Sequence, residues 1–102
     1  MSEKTDMSID LKAQLNLETA KIAWSELQLF FASGKAISVH HTLDIIDVAC
    51  AIHIDDTEDM QNWMSHDLVG QVSDHQAKAW HDSDASVWAV VIRPWVLVQG
   101  IG

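Results

Sequence analysis

Apolar residues fill both odd and even positions of one segment near the end of the chain, Val87-Trp-Ala-Val-Val-Ile-Arg-Pro-Trp-Val-Leu-Val98, broken only by Arg93 and Pro94. β-Branched and aromatic residues suit a pleated surface, and a strand apolar on both sides needs cover on both sides. A single straight strand of this length would span roughly 40 Å at ~3.3 Å per residue. A domain of about 100 residues has a radius of gyration near 13 Å, so such a strand would protrude. Pro94 also lacks the amide that a central ladder requires. The run therefore predicts two strands, 87–92 and 95–99, hinged at Arg93-Pro94 and central to the fold.

The other elements follow from the same kind of pattern. Leu11, Leu15, Leu17 and Ile22, then Trp24, Leu27, Phe30 and Phe31 at three- and four-residue spacing, predict helices over 10–20 and 23–33, continuous or separate, the second closed by Gly34. Ala36 to His40 alternates and reads as a strand. Thr42 is placed to cap a helix from Leu43 to Ile54 that turns Ile45, Ile46, Ala49, Cys50 and His53 inward. The acidic stretch Asp55-Asp-Thr-Glu-Asp59 suits the positive end of a fourth helix, with Met60, Trp63 and Met64 on its buried side. Leu68 to Val72 is a further strand. Ser73-Asp-His-Gln76 has the spacing of a capping box and opens a short helix through Ala77 and Trp80. The fold class predicted is α+β: a polar tail over 1–8, then one domain over 9–102 in which three to four short strands are covered by about five helices.

Composition narrows the function. Fifteen Asp and Glu against six Lys and Arg give a net charge of −9, and the cations are scattered singly. Phosphate neutralisation needs clustered cations, so nucleic acid and anionic lipid are not expected partners. Cys50 is the lone cysteine, which excludes an intrachain disulfide. Met-Ser-Glu-Lys-Thr-Asp-Met has no signal-peptide character, and the apolar run is too short to span a bilayer. A cytoplasmic protein is expected.

Candidate chemistry is sparse. His40 and His41 would face opposite sides of a strand, and His75 and His81 diverge around a helix. Cys50 and His53 share one helical face, but two ligands fall short of a zinc site, and free Cys on a core face acts as a small hydrophobe. Residues 55–59 lack the order of a calcium loop. No phosphate-binding glycine loop, nucleophile elbow or His-Glu-x-x-His occurs. Catalytic, cofactor-binding and metal-binding residues are therefore assigned to none. The alternative, a small metal-dependent or thiol enzyme, would rest on Cys50, His53 and a strand histidine such as His41. Among five tryptophans, Trp88 and Trp95 bracket Arg93, and Arg with Trp is a common interface anchor. Arg93, Trp95 and Trp88 are thus the interface candidates; the competing expectation pairs Arg93 with a local acid at a strand end and packs both indoles inside.

Three segments taken together, Leu15 to Gln28, Ser73 to Trp80 and Trp88 to Gln99, resemble the short bacterial proteins grouped as domain of unknown function 2288. Pro94-Trp-Val-Leu-Val-Gln99 is the most specific element, and the similarity runs from Leu11 to Gln99. The resemblance implies a small bacterial cytoplasmic protein. It also implies a helix start at Trp24, where this chain has Ala23 in place of a frequent proline, and it brings no catalytic residues or cofactor. The expected function is a non-catalytic interaction or regulatory protein that self-associates or holds a protein partner near Arg93 and Trp95.

Overall fold

At Arg93 and Pro94 the terminal run turns back on itself, as its length requires. In the computed structural model, which describes residues 11–101, β4 (Ser86–Ile92) and β5 (Trp95–Gly100) form an antiparallel hairpin. Its register runs from Val87 opposite Gly100 to Ile92 opposite Trp95. The tail expected over 1–8 lies outside the described residues.

Two further strands pair on the far side of β5: β2 (Ala36–Val39) parallel to it, then β3 (Val69–Gln71) antiparallel to β2. On the other side β1 (Ala20–Ala23) pairs antiparallel with β4. The sheet order is β1-β4-β5-β2-β3, five strands where three to four were expected. The additional strand is β1, which replaces the junction of the first two expected helices. The first helix, α1 (11–18 among the described residues), ends at residue 18, where the Thr19 hydroxyl donates to the Leu15 carbonyl at 2.8 Å. The chain then satisfies its backbone on the open side of β4, and pairing overrides local helical pattern. The next helix shrinks to a 3₁₀ turn (Trp24–Leu27) followed by α2 (Gln28–Ala32).

Alternation sorts the sheet residues onto two faces. Val39, Val69, Val90, Ile92 and Leu97 face Leu15 of α1 and Ile45, Val48 and Ala49 of α3 (Ile45–His53). Ala36, Val87, Ala89, Val96 and Val98 face Trp24, Leu27, Val72 and Ala77 of α5 (Asp74–Asp82). Val96, Leu97 and Val98 are fully buried. Both faces of the sheet are thus packed within one chain, while Trp88, Val91 and Trp95 of the apolar run stay exposed.

Two details of α3 depart from expectation. Asp44, not Thr42, is the cap: its Oδ1 accepts from the Ile46 amide at 2.9 Å, while Thr42 Oγ1 pairs with His40 Nδ1 at 2.8 Å. The buried stripe includes Ala51 and leaves His53 exposed. The fourth helix, α4 (Thr57–Ser65), is capped by Asp56 from within the acidic stretch. It packs Met60 and Trp63 on the core, while Met64 stays 54% exposed.

Candidate binding groove

The hairpin tip and α4 leave a groove between them. Trp95 opens β5 and shares its sheet face with Leu97 and Ile37, the face roofed by α3 and α4. The roof stops short of the tip. Ile37, Ile52, Met60, Met64, Val69 and Trp95 line a groove of about 650 Å³ there. Met is unbranched and polarizable and adapts to varied apolar partners. Trp95 is 37% exposed, enough to offer its ring to a partner.

The rim of this groove is acidic. Asp55 and Asp56 line it, and no Lys or Arg does so among the described residues. Asp56 Oδ1 accepts from the Asp59 amide at 3.1 Å, which caps α4. Its charge, with that of Glu58, also pushes the Asp59 carboxyl above the usual carboxylate range. The two ion pairs among the described residues, Lys12–Asp47 and Lys78–Asp82, leave Asp55, Asp56 and Asp59 unneutralised.

A second, open groove of about 900 Å³ lies at the other end of β5, lined by His40, His41, Gln76, Trp80, Trp88 and Gln99 among others. Much of its polarity is already used inside the fold. Gln99 Nε2 donates to the His40 and Leu43 carbonyls at 3.0 and 2.7 Å, and Gln76 Nε2 donates to Ser38 Oγ at 3.1 Å. His40 and His41 do not face opposite sides. β2 ends at Val39, and in the turn beyond it their rings stack with centroids 4.2 Å apart.

The interface candidates therefore divide. Arg93 and Trp95 stand together at the hairpin tip. Trp88, 40% exposed, is opposite Gln99, four residues along β5 from Trp95, or about 13 Å at ~3.3 Å per residue. Arg93 is exposed and forms no ion pair among the described residues. The thiol and metal alternative is not assembled. Cys50 packs against the core while His53 points outward, and no trio of His, Cys, Asp or Glu among the described residues is placed to hold a metal ion. Burial pushes the Cys50 thiol up; Lys12 pulls it down, and Asp47 and Asp44 add to the rise. Ile37, Ile52, Met60 and Met64 were not singled out by sequence for binding. Met60 and Met64 share a helix face, but that spacing reads equally as core.

Comparison with known proteins agrees with the fold. The profile of a family described as "Protein of unknown function (DUF2288)" matches residues 10–100. The chain is similar to PA1075 from Pseudomonas aeruginosa, whose solution structure was determined by NMR. The identity is 41%, the match covers 91% of this chain and 86% of that one, and the TM-score is 0.81. No curated protein matches. No helix among the described residues is long and apolar enough to cross a membrane.

Proposed function

The chain belongs to the DUF2288 family, and we propose that it is a non-catalytic binding module that receives an apolar, positively charged segment of a partner protein in the groove beside Trp95. One observation carries this reading: an open apolar channel through Met60, Met64 and Trp95 whose charged rim residues, Asp55 and Asp56, have one sign. A methionine-rich channel accepts several apolar side chains, and rim carboxylates select for Lys or Arg and steer its approach. Arg93 at the same tip adds a donor for a carboxylate or carbonyl of the partner.

Selection of a phage-displayed random dodecapeptide library against the immobilised protein tests the proposal. Enriched sequences are expected to combine apolar residues with Lys or Arg, and to lose at least tenfold in affinity on Met64→Glu and on Trp95→Ala. Peptides that bind those variants as they bind the unaltered protein would place recognition elsewhere. Light scattering of the same samples separates the competing occupant: a dimer dissociated by Trp95→Ala means that the groove holds a second copy.

A further inference from the structure

Both grooves meet at one strand. Val69, Gly70 and Gln71, the whole of β3, line the groove beside Trp95 and also the groove beside Trp80. β3 is an edge strand, paired on one side only. Its hydrogen-bond phase is set at both ends: the His40 amide donates to the Leu68 carbonyl at 2.8 Å, and the Val72 amide donates to the Ala36 carbonyl at 3.0 Å. In an antiparallel ladder, bonded and non-bonded residues alternate. Gly70 therefore turns its amide and carbonyl toward Ser38 on β2, and Val69 and Gln71 turn theirs away from the sheet.

Such an edge is a template for another strand, and proteins usually guard it with charge, above all lysine, or with proline. The opposite edge, β1, carries the exposed Lys21 in its middle. β3 is Val-Gly-Gln, with neither charge nor proline, and the space a side chain would occupy at Gly70 is empty to 4 Å.

We propose that β3 is the docking edge for an extended peptide that adds to the sheet as a sixth strand, pairing with the outward backbone groups of Val69 and Gln71. This rests on the groove reading above and specifies how the partner is held. Successive side chains of a strand point to opposite faces. Every second residue of the peptide thus enters the channel of Met60, Met64 and Trp95, where apolar side chains fit. The intervening ones lie over the Gly70 face toward Trp80 and Gln76. Lys or Arg at the flanks meets Asp55 and Asp56 on one side and Asp67 on the other, for Asp67 lines the second groove. The same charges argue against a second copy on this edge, since a twofold contact would bring like carboxylates together.

The test uses peptides enriched from the dodecapeptide library. Gln71→Pro deletes the outward amide without removing a β2–β3 bond, and Gly70 before it offers no Cβ to clash with the proline ring. Gln71→Ala is the control: it keeps the amide and loses the side-chain bond from Gln71 Nε2 to the Gly34 carbonyl. The peptide is expected to bind Gln71→Ala within threefold of the unaltered protein and to lose at least tenfold on Gln71→Pro. In the complex the Val69 and Gln71 amides should become protected from hydrogen exchange. Methylation of alternate peptide amides gives an answer that does not depend on a variant folding: one alternate set should abolish binding and the other leave it intact. Equal binding to both Gln71 variants, or indifference to the methylated set, overturns strand addition. Retained sensitivity to Met64→Glu would then leave the groove reading standing, whereas insensitivity there removes the groove reading itself.

Discussion

Three helices end on an aspartate with left-handed backbone: Asp55 (φ 58°) after α3, Asp67 (φ 58°) after α4 and Asp84 (φ 51°) after α5. Each closes the same motif, in which the next amide reaches back five residues: Asp56 to Ala51 at 2.8 Å, Leu68 to Trp63 at 2.8 Å and Ala85 to Trp80 at 2.9 Å. Gly34 does this after α2 at no steric cost, with φ 73° and Lys35 bonded to Phe30 at 2.8 Å. Sequence reading found the glycine and missed the aspartates, because Asp signals a helix start far more often than an end. A left-handed L-residue costs about 1–2 kcal/mol in general, less for Asp, and a carboxylate opposes the negative end of a helix. Asp84→Gly is therefore expected to stabilise the protein by about 0.5–1 kcal/mol, read as a higher urea midpoint, and to leave peptide affinity unchanged. Asp55→Gly should stabilise comparably and weaken binding, since Asp55 lies on the groove rim. Cys50 gives a second expectation at this scale. A thiol pushed up by burial holds less thiolate at neutral pH, so its alkylation by iodoacetamide at pH 7 should be slower than that of a short cysteine peptide. Faster alkylation would revive a thiol chemistry.

At the scale of elements, the sequence was most legible where a local rule acts alone. Ser73 Oγ accepts from the Gln76 amide at 3.1 Å and Gln76 Oε1 accepts from the Ser73 amide at 3.4 Å, the reciprocal pair that the spacing predicts. Gln76 also reaches Ser38 on β2, so the cap ties α5 to the sheet. Ser73→Ala is expected to cost about 1 kcal/mol in chemical denaturation. Loss much below that would mean that Ala77 and Trp80 hold α5 without the cap. The strands of the terminal run were legible for a different reason: length and Pro94 left no other arrangement. β1 was not legible. Ala-Lys-Ile-Ala has no strand alternation strong enough to be noticed, and it extends only because β4 offers an unpaired side. The groove was half legible. Of its lining, Trp95 had been singled out from the terminal run, but Ile37, Ile52, Met60 and Met64 come from three other elements. Only the crossing of α3 and α4 over β2 brings them to Trp95, and no periodicity encodes that crossing.

For the molecule as a whole, charge separates folding from binding. The full sequence carries −9, and the fold has a radius of gyration of 13.8 Å. Its two described ion pairs are exposed, and such pairs contribute about 0–1 kcal/mol each. The Debye length falls from about 30 Å at 0.01 M to about 8 Å at 0.15 M ionic strength. Repulsion that spans the folded chain at low salt is therefore screened at high salt, and the compact state gains. The urea midpoint is expected to rise between 10 and 150 mM NaCl. A cationic peptide on the rim of Asp55 and Asp56 meets the opposite sign, so the same added salt weakens its binding, chiefly by slowing association. Stability and affinity thus move in opposite directions along one salt series. Affinity that is indifferent to salt would show that the acidic rim does not select the partner, leaving the apolar channel alone. A midpoint that falls with salt would show that favourable pairs outweigh the net charge, and the excess of carboxylates would then be a property of the groove end rather than a burden on the whole fold.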